Sequence, residues 1–513
     1  MIASSSSEAT SRQLLEQGNP RLTNKDLVPV PVEERNWTGF NFAALWAGMI
    51  YNIFGFTVIG GMMATGLSAL QALLAVGLAS VIQLVFMSLT GRVGTRLGIP
   101  FPVWARTAYG VFGANVPAIL RGLTAIGWFG IQNYLAATII NALLGSLIPA
   151  WRDLGNTQIF GVGLDLGISL LLFWALSFLV IYHGMETIRR FESWAGPLGL
   201  IVTGVVAVWA VVQAGGLGPI FETPSDYETT SAFLIQGLVP ATVLFMSASW
   251  VTLILNYADF TRFARSNREQ TLGTAIGFPV ATLLFYGMSA IIVSSVLATT
   301  GKTLWNPGDV LVAIGNPYLT FVGAVLLVIA TLSTNIPANL VSPAYDLTNL
   351  FPRLFTFRRA MVAAIIIGFL YMPWRWMQDP DTLFSLLNNV GTFLGPATGI
   401  LLADYYVLRK SRVDVPELYR SDGRYSSYRG FNLVGLAVLV ITTGPIFAGQ
   451  FFEPLSWMYT YSWLVGVVAS SILYLVFTKG LTALEGHTRP EFEAAGTAGV
   501  EKAEVVAGES HWN

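Results

Sequence analysis

"WAGMIYNIFGFTVIGG", Trp46 to Gly61, is apolar enough to lie in lipid, yet it carries Gly48, Asn52, Gly55 and the Gly60–Gly61 pair. A helix with those residues at its middle is easily interrupted, and an interruption frees backbone carbonyls for another use. Five apolar stretches later the pattern recurs in "MSASWVTLILNYADF", Met246 to Phe260, with Ser247, Ser249 and Trp250. Transporters built from two inverted five-helix repeats break their helices at such corresponding places and bind substrate and ion at the exposed backbone. Small residues also let membrane helices pack closely. Either stretch alone fits that second reading equally well, and the pairing at matching positions favours the first.

Composition sets the class. Hydrophobic residues make up 54% of the 513 and charged residues 11%, against about 25% charged in soluble domains. This is the composition of a membrane protein. With no cysteine there is no disulfide, thiolate nucleophile or Cys-ligated metal. The three histidines are His183, His487 and His511, and two lie near the C-terminus, which disfavours a histidine-based centre in the core. A net charge of −1 gives no sign of nucleic-acid binding. The polar, Ser-rich first 36 residues lack the order of a secretory signal and read as a mobile cytoplasmic tail, with a second tail over 480–513.

Crossing the hydrocarbon takes ~20 apolar residues. Twelve stretches qualify, near 40–62, 66–91, 112–146, 164–184, 194–215, 231–257, 271–299, 312–346, 359–377, 381–408, 431–449 and 455–478. If both termini are cytoplasmic, only Arg152, Lys302 and Arg375 of the 28 basic residues fall outside, as the positive-inside rule demands. The expected product is an all-α, multi-pass protein of the cell membrane with twelve transmembrane helices. Its parts are an N-terminal tail (1–36), a five-helix repeat (37–215), a second, inverted one (231–408), two additional helices (431–478) and a C-terminal tail (480–513). Spans drawn this way contain almost no Asp, Glu, Lys or Arg, so the substrate should be neutral or nearly so, and no carboxylate relay is evident.

The polar groups inside the spans are therefore informative. In "TAIGWFGIQNYLAAT" Trp128 and Gln132 are four apart and share a helical face. A stacking surface beside an amide suits a flat heterocycle with N–H and C=O edges. Taken alone, the pair is better read with Trp128 facing lipid and Gln132 bonding a neighbouring helix. "ATLSTNIPANLVSPAY", Ala330 to Tyr345, places Ser333, Thr334, Asn335 and Asn339 on consecutive turns. Hydroxyls and freed carbonyls could hold a small hard cation, although Ser and Thr often bond back to their own helix. No nucleophile–base pair or metal-ligand motif is present, so the chain does not read as an enzyme and no cofactor is expected. A channel or receptor would share the broken helices and differ in lacking concentrative uptake.

Six segments carry a family resemblance: "NWTGFNFAALWAGMIYNIFG", "GIPFPVWARTAYGVFGANVPAILRGLTAIGWFGIQ", "HGMETIRRFESWAGPLG", "LILNYADFTRFAR", "STNIPANLVSPAYDL" and "LGPATGILLADYYVLRK". Together they resemble the first nucleobase–cation symporter family, which includes hydantoin, allantoin, uracil and cytosine permeases. The pattern is most similar to its bacterial allantoin-permease branch. The resemblance implies a LeuT-type fold, 5+5 inverted repeats with two extra helices, and transport of a neutral planar N-heterocycle by alternating access. Allantoin is the first expectation and uracil the second, with related purine or hydantoin compounds behind. It further implies that Trp128 and Trp250 stack on the two faces of the substrate and that Gln132 and Asn339 bond its polar edge. Asn52 stands where the hydantoin type has glutamine, which argues against a hydantoin substrate. The family's sodium site maps onto the carbonyls of Gly48, Tyr51 and Ala330 and the hydroxyls of Ser333 and Thr334. Sodium is the expected coupling cation, with protons the alternative, and the chain is expected to act as a monomer among membrane lipids.

Overall fold

The computed structural model describes residues 11–51, 53–181, 184–217, 225–300, 317–376 and 380–484. The first span is two helices, α1 (Gly39–Ile50) and α2 (Ile53–Ala64). Next come α3 (Ala69–Leu97), α4 (Asn115–Leu147), α5 (Leu164–Ile181) and α6 (Met185–Gln213). The sixth span is broken as well, into α7 (Val239–Ala248) and α8 (Val251–Asn256). The seventh is α9 (Asn267–Ala275) and α10 (Ala281–Thr300), joined through a wide π-helical turn, Ile276–Val280. The eighth is α11 (Pro317–Ile336) and α12 (Ser342–Leu350), joined through a second such turn, Pro337–Val341. The last four are α13 (Phe357–Leu370), α14 (Pro380–Leu402), α15 (Leu433–Ala448) and α16 (Ser462–Leu484). Among the described residues, eight helices are long and apolar enough to cross a membrane, and three shorter apolar ones begin at Gly39, Thr230 and Leu433. Every expected span thus has a helical counterpart.

The broken first span is held by glycines on its neighbours. A Cβ on Gly196 of α6 would run into the carbonyl of Ala44 and crowd the amide of Gly48. A Cβ on Gly277 would lie 2.5 Å from the Ala43 Cα. Backbone therefore meets backbone on both sides of α1, and most of α1 is buried although it is almost wholly apolar. Gly196→Ala is expected to force α6 off α1. A fall in yield of monodisperse protein and in thermal unfolding temperature checks this; wild-type values would mean the contact gives way freely.

Two expectations need correction. The fifth span begins at Met185, not 194, because Glu186, Arg189 and Arg190 are helical too, paired with one another along one turn. That extension brings Glu192 inside the bundle. Nor does the N-terminal segment trail freely over 11–36. Leu14, Leu22, Leu27, Val28 and Val30 are buried, and arginines from the body hold its backbone. Arg106 donates to the Leu22 carbonyl, to Leu418 O and to Asn349 Oδ1; Arg262 donates to Asp26 O and Val28 O. Guanidinium groups have donors enough to bind several carbonyls at once, and the polar composition of the segment hid that docking. Burial pulls the Arg106 guanidinium down to about 10. Residues 485–513 of the expected C-terminal tail lie outside the described ones.

Candidate cation and substrate site

At the end of α1 the backbone turns extended at Tyr51, with φ −71° and ψ 90°. The last carbonyls of a helix have no amide partners of their own. Here they converge on one hydroxyl: Thr334 Oγ1 lies 3.3 Å from Gly48 O, 3.1 Å from Met49 O and 3.0 Å from Tyr51 O. One hydroxyl proton can serve only one of these acceptors. The cluster is therefore rich in lone pairs, at the negative end of a helix. That donor set fits a small hard cation. Ser333 is the neighbouring residue, and Ala330 lies one turn before Thr334 in the same buried stretch. Gly48, Tyr51, Ser333 and Thr334 are thus brought together as the sequence suggests, and Met49 joins them.

Ser333 leads to a residue that its sequence context conceals. Its hydroxyl donates to Glu192 Oε2, and Glu192 is 1% exposed. The other carboxylate oxygen, Oε1, is buried without a hydrogen-bond partner among the described residues. A Cβ on Gly48 would overlap both Glu192 Oε2 and Ser333 Oγ, so only glycine leaves room for this contact. The expectation of spans without a buried carboxylate is corrected here. The signal is present in "RRFESWAG", where Glu192 is followed one turn later by Gly196, the residue that lets α1 approach.

On the substrate side, the eighth span is tied to α4 by amides. Asn339 Nδ2 donates to Asn335 Oδ1 at 2.8 Å, and Asn335 Nδ2 donates to Phe129 O at 3.2 Å and Asn133 Oδ1 at 2.9 Å. Asn339 sits in the wide turn Pro337–Val341, which is buried throughout. Such turns often mark functional positions. Gln132 is buried on α4, and its Oε1 has no partner; Trp128, one turn before it, is half-buried. Trp250 lies at the break in the sixth span and meets Trp46 edge to face at 5.7 Å. Gln83 of α3 braces that break, its Nε2 donating at 3.2 Å both to Met246 O and to Ser249 Oγ. A lone amide in an apolar helix gives no reason to single Gln83 out. Asn52 lies outside the described residues.

Below the amides sits a charged layer. Arg121 on α4 is fully buried and donates to Thr252 O at 3.0 Å, Asn256 Oδ1 at 2.9 Å and Ala338 O at 3.0 Å. It thereby joins α4 to α8 and to the wide turn of the eighth span. Asn256 in turn donates to Asp259, and Asp346 accepts from Ser342. Both carboxylates act electrostatically on Arg121.

A family model described as "Permease for cytosine/purines, uracil, thiamine, allantoin" matches residues 29–466. The allantoin permease of Bacillus subtilis (strain 168) is 39% identical over 465 residues, covering 90% of this chain and 94% of its own. Among solved structures, Mhp1, a nucleobase-cation-symport-1 family transporter in a closed conformation with bromovinylhydantoin bound, superposes with a TM-score of 0.76. The identity is 26%, with 92% of this chain and 98% of that one covered. The inward-facing conformation of Mhp1 superposes with a TM-score of 0.69 at 25% identity, covering 92% of this chain and 96% of that one.

Proposed function

The chain belongs to the family of permeases for cytosine/purines, uracil, thiamine and allantoin, with the family's LeuT-type fold, and on that premise we propose that it imports allantoin in symport with sodium. The observation that carries the substrate reading is the amide set where α4 meets the eighth span. Gln132 has an unpartnered buried oxygen, and Asn339 is held in register by Asn335. A ureide presents alternating N–H and C=O groups, which such amides can pair in both senses. Trp128 and Trp250 supply aromatic faces for a flat ring. The name of the Bacillus subtilis relative supports the same choice. Uracil has the same kind of edge and is the second reading, supported by the family's description.

Coupling follows from geometry. A cation held by the carbonyls of Gly48, Tyr51 and Ala330 and the hydroxyls of Ser333 and Thr334 would bridge the first and eighth spans. Those spans also carry Asn52 and Asn339. The ion then favours whichever conformation completes the substrate site, by as much as its affinity differs between the two states. A coupling of ~1–3 kcal/mol is ordinary for such linkage. Both termini are assigned to the cytoplasm on the distribution of basic residues.

The test is uptake of labelled allantoin and uracil by permease-deficient bacteria expressing the chain, with sodium or choline, each competed by hydantoin, cytosine and hypoxanthine. Saturable, sodium-stimulated allantoin uptake is expected. Uracil uptake alone would replace the substrate, and equilibration without accumulation would make the protein a channel. Gln132→Ala and Asn339→Ala should each weaken allantoin binding by about 1–3 kcal/mol, because an amide edge of the ligand loses its partner. Trp128→Phe should be milder than Trp128→Ala if stacking is what Trp128 contributes. Wild-type affinity in both amide variants would remove this site.

A further inference from the structure

We propose that Glu192 supplies the anionic oxygen of the cation site, so that the site holds its ion with a formal negative charge as well as with neutral oxygens. The proposal rests on the sodium reading above and adds a ligand from the fifth span to a site otherwise built from the first and eighth.

Three observations meet at this residue. Glu192 is buried and shares a hydrogen bond with Ser333, itself next to the hydroxyl encircled by the Gly48, Met49 and Tyr51 carbonyls. Its carboxylate occupies the space over Gly48 that any side chain there would fill. Among the described residues, its Oε1 has no hydrogen-bond partner and no arginine or lysine forms an ion pair with it. A buried carboxylate with one hydroxyl donor and no counter-charge must either take up a proton or meet a cation. A monovalent cation at the neighbouring carbonyls is the compensating charge. One carboxylate among neutral oxygens, rather than a cluster of acids, matches one positive charge, and the loaded site is then electrically neutral inside the membrane.

The same geometry separates charge from hydrogen bonding. Glu192→Gln keeps the size and keeps an oxygen to accept from Ser333, while it removes the charge and puts an NH2 donor in place of the second oxygen. Purified full-length protein in detergent is titrated with sodium chloride against choline chloride at constant ionic strength, reading thermal unfolding temperature and tryptophan fluorescence. Wild type is expected to show a saturable sodium response. In Glu192→Gln the half-saturating sodium concentration should rise roughly tenfold to a hundredfold, in line with losses at other ion sites. An unshifted sodium response in Glu192→Gln would overturn the proposal, as would a wild type that responds no differently to sodium than to choline. Should Glu192→Gln not fold, Glu192→Asp withdraws the charge by one methylene and should raise the half-saturating concentration by a smaller factor; no rise overturns the proposal. Allantoin binding by the wild type is measured in parallel. Its absence beside an intact sodium response would sink the allantoin reading and leave the Glu192 assignment standing.

Discussion

Arg121→Met is expected to cost about 3–5 kcal/mol of stability and to abolish uptake, the largest effect of any single change considered for this chain. The guanidinium is fully buried and bridges three elements through Thr252, Asn256 and Ala338. Methionine fills a similar volume, so the loss is electrostatic and not a cavity. It removes a positive charge that acts on two buried carboxylates, Asp346 and Asp259. Asp346 retains only the Ser342 hydroxyl, and its Oδ1 already lacks a partner; Asp259 retains Asn256 and the amide of Phe101. Removing the arginine whose charge acts on Asp346 leaves that buried carboxylate uncompensated, while Asp259 keeps the charge of Arg262. The reciprocal change is the check. Arg121→Met combined with Asp346→Asn should recover a substantial part of the lost stability, since the stranded charge is gone. A single variant within 1 kcal/mol of wild type, about the size of an ordinary hydrogen bond, would show that Arg121 is not the anchor of this layer. Additive losses in the double variant would show that Asp346 is not what Arg121 neutralises. Transport should not return in the double variant, because α4, α8 and the eighth span are still unlinked.

What can be read from the sequence depends on contrast with its surroundings. Gly48, Asn52 and the Gly60–Gly61 pair stand out in an apolar stretch, so a break somewhere in the first span is legible from residue types, although the chain breaks between Ile50 and Ile53 and runs helical through both Gly48 and Gly60–Gly61. Ser333, Thr334, Asn335 and Asn339 stand out for the same reason, and the fold does gather Thr334 with the first-span carbonyls. Glu192 is masked by its place among Glu186, Arg189 and Arg190, where polarity reads as a loop; only the helix face, marked by Gly196 one turn on, separates the exposed ion pairs from the buried acid. The docked N-terminal segment is hidden by the same rule in reverse. Its backbone carbonyls, which carry no sequence signal, are the acceptors for Arg106 and Arg262. The wide turn at Pro337–Val341 likewise rests on tertiary packing: the spacing of Asn335 and Asn339 fits an ordinary helix, yet the chain there widens by a residue.

Thr334→Ala should weaken sodium binding roughly tenfold to a hundredfold, the equivalent of about 1.4–2.8 kcal/mol. Among the described residues, the hydroxyl is the eighth-span group that touches three first-span carbonyls at once, at 3.0–3.3 Å. Alanine removes an oxygen from the ion and removes the donor that separates those carbonyls when no ion is bound, so both states of the site change. The cost of leaving buried acceptors unpaired is about 1–3 kcal/mol, which falls on the ion-free form and partly offsets the loss from the bound form. The measured shift therefore understates the contribution of the hydroxyl to coordination. Thr334→Ser settles what the residue contributes: it retains the oxygen and drops only a methyl group, and should recover most of the wild-type sodium response. If alanine and serine are equally impaired, the methyl packing of Thr334 and not its oxygen matters, and the cation site must lie elsewhere. If sodium stimulation of allantoin uptake survives Thr334→Ala unchanged, sodium is not bound between the first and eighth spans. A response to sodium that is lost in Thr334→Ala and kept in Thr334→Ser would instead tie ion binding to the carbonyls freed by the break at Tyr51.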